Sequence, residues 1–157
     1  MMVSKKARYT NPSAGILILT RVQDGKKQVL LQHRGRTEML PNVWDCISGH
    51  VEEQETIRQT MVREAYEELS IIVKAEDIEF VGMTHLRLDD ETTYYNIFLT
   101  TDKFMGTPKI MEKDKHDDLK WVNLDALPAM AHEMINNRYQ AIQHLERPPF
   151  YSEEGFE

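Results

Sequence analysis

The 157-residue chain has a single cysteine, Cys46. An intramolecular disulfide is excluded and one thiol does not build a thiolate zinc site, so the expected compartment is a reducing one, the cytoplasm. Long hydrophobic runs are also missing. The apolar stretch Ala14-Gly-Ile-Leu-Ile-Leu19 is far too short to span a bilayer and reads as a strand. Positive charge is in deficit: 19 Lys and Arg face 26 Asp and Glu, and the formal net charge of −7 repels nucleic-acid backbones and anionic lipid. Stable nucleic-acid binding and membrane association are not expected. A phosphate-bearing small molecule would have to be met by a divalent cation or a local Arg/Lys cluster. Low-complexity tracts and repeats at solenoid periods are absent as well. The length fits a single domain over 1–157, with its core at about 14–145 and loose ends.

Two apolar stretches, Ala14–Leu19 and Gln28–Gln32, are joined by Gln23-Asp-Gly-Lys-Lys27, whose Asp-Gly predicts a β-hairpin. Pro41 interrupts the chain before Val43–Ile47 resumes a strand-like pattern that stops at Ser48-Gly49. From Thr56 to Leu69 the residues Ile57, Met61, Val62, Ala65 and Leu69 recur at helical spacing. Further strands are expected at Ile71–Val73, Ile78–Met83, Thr92–Thr101 and Leu119–Val122, with a turn at Leu86–Glu91 and a loop at Lys103–Lys115. A closing helix is expected over Met130–Leu145, then an extended tail carrying Pro148-Pro149. This order is mixed α/β and not a regular βαβ repeat.

The helix carries the chemistry. At about 100° per residue, Glu64, Glu67 and Glu68 fall within one sector of roughly 100°, so three carboxylates project side by side. Such crowding is unfavourable in water, and a hard divalent cation converts the repulsion into binding, Mg²⁺ fitting best with Mn²⁺ as a substitute. The apolar stripe lies beside the acidic sector, so one helix can pack on a sheet and hold carboxylates at a cleft edge.

Gly49, Glu55, Arg63, Glu64, Ala65, Glu67, Glu68 and Ile71 resemble the Nudix box in type and spacing, with Ser70 where the family usually has glycine. Flanking pieces are similar too, including Leu30–Arg34, Trp44–Glu52, Gly106-Thr-Pro and Leu119–Val122. The resemblance implies an α/β/α sandwich around a mixed β-sheet. It also implies Mg²⁺-dependent hydrolysis of a nucleoside diphosphate linked to another moiety: a nucleoside triphosphate, oxidised or not, giving monophosphate and pyrophosphate, or a nucleotide-sugar type diphosphate. By position, Glu64, Glu67 and Glu68 would hold metal together with the Ser48 carbonyl. Arg63 would orient carboxylates with Glu55 as partner, and Glu64, Glu67 or the later Glu112 would serve as base. Arg34, Arg36 and Arg87 are candidates for phosphate, Trp44 and Tyr95 for stacking on a base. Many relatives are dimers, so a homodimer is an open expectation. Two alternatives stand beside this reading: an isopentenyl-diphosphate-isomerase-like enzyme with Cys46 as its reactive thiol, and a nucleotide-binding regulatory domain without turnover.

Overall fold

The computed structural model describes residues 8–157. Its spine is β1 (Ser13–Gln23), which turns through Asp24 (φ 52°) and Gly25 (φ 76°) into the antiparallel β2 (Lys26–Arg34). Two successive positive φ values define the expected hairpin turn, which Asp-Gly accepts at low cost. Near its start, β1 pairs antiparallel with β4 (Ile47–His50), Ile16 facing Ser48. Its other edge carries β6 (Thr93–Thr101) in parallel, followed by the antiparallel β5 (Glu79–Arg87). β3 (Val43–Asp45) and β7 (His116–Asn123) flank β2. One edge of β1 thus serves both β4 and β2, and the sheet forks there.

With both edges of β1 paired, its side chains alternate between two covered faces. Ile16 and Ile18 join Val29, Leu31, Phe98 and Val122 on one face, and Leu17 and Leu19 join Leu30, Ile47 and Leu99 on the other. All four β1 residues are fully buried, each contributing about 1.5–3 kcal/mol of hydrophobic stabilisation. Helix α1 (Ile57–Leu69) covers the second face with Met61, Ala65 and Leu69. The first is covered by 3-10 turns over Leu124–Glu133 and by α2 (Asn136–Ile142), through Leu127, Met134, Ala141 and Ile142. The α/β/α sandwich around a mixed sheet follows directly.

Four expectations need correction. The closing helix does not run over Met130–Leu145: 3-10 turns containing Pro128 come first, and extended Met134 bridges to Trp44 before the seven-residue α2 begins. Proline withholds a backbone donor, and the apolar spacing here serves packing of a broken element. Ile71–Val73 forms no strand, only a single bridge from Ile72 to Met105. Val43–Ile47 is split at Cys46, its two halves pairing with β2 and β1 on either side of the fork. Finally, the C-terminal end is not loose: Phe150–Glu154 forms β8, parallel to β5, and the core reaches Phe150. A Cβ at Gly82 would overlap the Phe150 ring, so glycine there lets the tail dock. The expected loose N-terminal segment lies mostly outside the described residues.

Helix α1 begins at Thr56, whose side chain accepts from the Gln59 amide while Gln59 Oε1 accepts from the Thr56 amide. This reciprocal capping box satisfies two donors that a helix start leaves free. The helix ends at Ser70, which adopts the left-handed region (φ 57°, ψ 32°) and donates its N–H to Tyr66 O. Serine therefore takes the conformation that glycine adopts at lower cost. Ser70→Gly is expected to stabilise the fold by about 0.5–1 kcal/mol, a rise in melting temperature of about 1–4 °C by calorimetry. An unchanged or lowered melting temperature would show that the left-handed cap is not strained.

Candidate active site

The last residues of β4 and the middle of α1 face each other across a narrow gap. A Cβ at Gly49 would overlap the Glu64 carboxylate, so only glycine lets the helix approach this closely. Gly49→Ala is expected to displace Glu64 and lower turnover about 10²-fold, measured as kcat/KM, with the fold retained by circular dichroism.

Arg63 organises the acidic residues around it. Its Nε donates to Glu55 Oε2 at 2.8 Å and its Nη2 to Glu55 Oε1 at 2.9 Å, a two-point pair across the start of the helix. Nη1 donates to Glu64 Oε1 at 2.7 Å and reaches Glu67 Oε2 at 3.4 Å, while Nη2 also donates to the His50 carbonyl. The Arg63 hydrogen bonds lower the Glu55 carboxyl to about 2, and Glu55 in turn stabilises the charged guanidinium.

Glu68 has a different environment. It is buried, and among the described residues no cation pairs with it. Its Oε2 accepts the Ser48 N–H at 3.2 Å. Burial holds its carboxyl well above the usual range, with repulsion from Glu64, Asp45 and Glu112 acting in the same direction. Burial also raises Glu64, against the pull of Arg63. Because the Ser48 N–H turns toward Glu68 and not toward β1, the Ser48 carbonyl, on the same edge of an extended residue, is also turned away from β1.

The 103–115 loop completes the cluster. Lys109 N–H and Met111 N–H donate to the Leu69 and Glu68 carbonyls at the end of α1, pinning the loop beside the acidic sector. One helical turn follows, with Lys115 N–H and His116 N–H both donating to the Glu112 carbonyl at 3.0 Å. Glu112 and His116 are thus one turn apart, and each places a side-chain ligand atom within 4.8 Å of a Glu68 oxygen and of the other. His116 is buried, its Nδ1 has no hydrogen-bond partner among the described residues, and burial lowers its basicity. An unpaired buried carboxylate, two carboxylates beside it and an orphaned imidazole nitrogen form a donor set that fits a divalent cation.

The other candidates are dispersed. Arg34 spends its donors on Leu40 O, Met39 O and Thr37 Oγ1 and lies 3.8 Å from Asp45, tying down the loop after β2. Arg36 is exposed in that loop. Trp44 is buried in the core, with the His33 ring tilted edge-on to it at 5.0 Å between ring centroids and Lys120 Nζ over it. Arg87 donates to Asp89 O and contacts Asp90 at the β5–β6 turn, and Tyr95 stacks on His85 at 4.5 Å. Cys46 is fully buried with burial pushing its thiol pKa up, so it presents no nucleophile for isomerase chemistry. His116 was not legible from sequence: its spacing to Glu112 carries meaning only once the loop is known to form a helical turn.

A mixed sheet lies between helical layers, with a glutamate-rich helix at its fork. A NUDIX domain model matches residues 10–145, and the chain belongs to the Nudix family. It is 36% identical over 88 residues to the dihydroneopterin triphosphate diphosphatase of Escherichia coli K12, covering 50% of this chain and 55% of that protein. It is 26% identical over 141 residues to the NAD-capped RNA hydrolase NudC of Pseudomonas aeruginosa, covering 89% of this chain and 46% of that protein. The chain spans about half the length of these curated relatives. The fold resembles a MutT NUDIX hydrolase from Burkholderia pseudomallei, with a TM-score of 0.72 at 22% identity over 87% of this chain and 99% of the other. It also resembles the NUDIX domain of Shewanella oneidensis NrtR in complex with ADP ribose, with a TM-score of 0.73 at 19% identity over 90% of each. No helix among the described residues is long and apolar enough to cross a membrane.

Proposed function

We propose that this chain hydrolyses a phosphoanhydride bond in a nucleotide-like substrate, a nucleoside or related heterocyclic triphosphate, giving a monophosphate and pyrophosphate. The observation that carries this reading is the gathering of Glu64, Glu67, Glu68 and Glu112 around the end of α1 with Arg63 anchored on Glu55. Relatives named for dihydroneopterin triphosphate and NAD-capped RNA, and a similar fold bound to ADP ribose, support a substrate containing linked phosphates.

Glu68, with Glu64, Glu67, Glu112 and the Ser48 carbonyl, would hold Mg²⁺ or Mn²⁺. When bound, the cation offsets the negative charge of the diphosphate and of the transition state. Water attacks one phosphorus, the P–O anhydride bond breaks, and pyrophosphate leaves. The water's proton passes to Glu64, Glu67 or Glu112. Arg63 holds Glu64 and Glu67 by hydrogen bonds, so their positions are set before substrate arrives. Glu52 and the His50 carbonyl fix the guanidinium from the strand side.

A product-resolved screen with Mg²⁺ tests the reading, covering canonical and oxidised nucleoside triphosphates, pterin triphosphates, nucleotide sugars and dinucleotides. Release of pyrophosphate with a monophosphate from one triphosphate class is the expected result. Release of only nucleoside monophosphate and sugar phosphate would move the substrate to the nucleotide-sugar class. Tight nucleotide binding by calorimetry without product would favour a regulatory domain.

A further inference from the structure

We infer that Glu68, Glu112 and His116 form a mixed oxygen and nitrogen site in which the His116 imidazole binds the cation directly, selecting a first-row transition ion such as Mn²⁺ or Co²⁺ over Mg²⁺. The inference rests on the proposed cation-dependent reaction and specifies the ion that the same site takes.

Three observations support it. First, the ligand atoms of the three side chains lie within 4.8 Å of one another. Two ligands on opposite sides of an ion, each about 2.1 Å from it, are about 4.2 Å apart, so small side-chain adjustments close this cluster around one cation. Second, His116 is 3% exposed, and among the described residues its Nδ1 has no hydrogen-bond partner. A buried ring nitrogen without a partner is disfavoured by its lost hydration, and a metal bond removes that penalty. Third, the placement is built by the backbone. The loop is tied to the Glu68 and Leu69 carbonyls, and the single turn from Glu112 to His116 puts both side chains beside α1.

The donor chemistry decides the ion. Mg²⁺ demands oxygen ligands and dehydrates reluctantly, whereas imidazole suits Mn²⁺ less than Co²⁺ or Zn²⁺ but all three better than Mg²⁺. Replacing one carboxylate or water by imidazole therefore moves preference toward the transition ions. Two neighbouring carboxylates keep the site hard enough for Mn²⁺.

The test uses metal-stripped full-length protein, with Mn²⁺, Co²⁺ and Mg²⁺ alone as probes. Pulsed electron paramagnetic resonance of the Mn²⁺-loaded wild type is expected to show ¹⁴N modulation from a directly bound imidazole. Calorimetry is expected to give at least tenfold tighter binding of Mn²⁺ than of Mg²⁺. In His116→Gln, Mn²⁺ and Co²⁺ binding should weaken about 10- to 100-fold and Mg²⁺ binding less than threefold, and the nitrogen modulation should disappear. Mn²⁺ bound at Glu68, absent in Glu68→Gln, but without nitrogen modulation would overturn this inference and leave the proposed function standing. Failure of all three ions to bind would overturn both. The wild-type spectrum alone decides the matter if His116→Gln fails to fold.

Discussion

Glu68→Gln is expected to raise the melting temperature of the metal-free protein while abolishing its response to divalent cations and lowering kcat/KM by at least 10²-fold. The two effects have one origin. Glu68 is buried without a cationic partner, and its carboxyl sits well above its ordinary value because burial and its acidic neighbours disfavour the charge. Between the unfolded value of about 4.5 and its folded value, the folded protein holds a proton that the unfolded chain has lost. Stability of the metal-free form therefore falls as pH rises through that window. Glutamine removes the penalty and can still accept the Ser48 N–H through Oε1, so stability at pH 7–8 should rise by about 1–2 kcal/mol, or roughly 2–8 °C. A cation held at 100 times its dissociation constant stabilises the wild type by about 2.7 kcal/mol and Glu68→Gln by nothing. Thermal scans of both proteins between pH 5 and 8, with chelator and with Mn²⁺, check each element. A Glu68→Gln protein less stable than wild type at pH 8 without metal would refute the electrostatic assignment.

Loss of Arg63 is expected to be the second large effect, and it points the opposite way. Arg63→Ala removes the two-point pair to Glu55 and the bond to Glu64, leaving Glu52, Glu55, Glu64 and Glu67 facing one another. Charge-assisted hydrogen bonds of this kind contribute about 1.5–3 kcal/mol, so Arg63→Ala should lose about 2 kcal/mol of stability and at least 10²-fold in kcat/KM. Arg63→Lys should recover little, because an ammonium does not reproduce the fork that spans Glu55. The pH profile carries the signature. The Glu55 carboxyl at about 2 contributes stability that is fully present above about 4.5 and is lost as pH falls through 2. In Arg63→Ala this contribution is absent, so the stability difference between the variant and wild type should narrow below pH 4. A constant difference down to pH 2, followed by fluorescence in urea, would show that Glu55 and Arg63 are not coupled.

The parts of this protein legible in the sequence are those where local pattern and tertiary context agree. The Asp24-Gly25 turn, the fully apolar β1 and the amphipathic α1 each carry a period or a backbone requirement that allows one structure. The box positions gave the carboxylates on α1, and helical geometry alone puts them side by side. Elements made by long-range pairing were not legible. β8 is a pentapeptide held by the edge of β5 and by Phe150 over Gly82, and two aromatics directly after Pro148-Pro149 are too short a signal to mark Phe-Tyr-Ser-Glu-Glu as a strand. The closing segment shows apolar spacing that suits a helix, yet Pro128 and the Met134 bridge to Trp44 divide it. The same limit hid His116, whose partner Glu68 lies 48 positions earlier and meets it only through hydrogen bonds between the loop and the end of α1. Arg34 illustrates the converse: its charge suggested a phosphate contact, whereas its donors are spent on backbone carbonyls of its own loop and on Thr37.

The most direct test of cation-assisted hydrolysis at this cluster is pyrophosphate release from the best triphosphate of the screen, measured against divalent-cation concentration for wild type and Glu68→Gln side by side. Saturable dependence on the cation in wild type, abolished by chelator, with at least a 10²-fold lower rate in Glu68→Gln at every concentration, is the expected result. Equal rates in the two proteins, or turnover that persists in chelator, would contradict a reaction run by cations on α1.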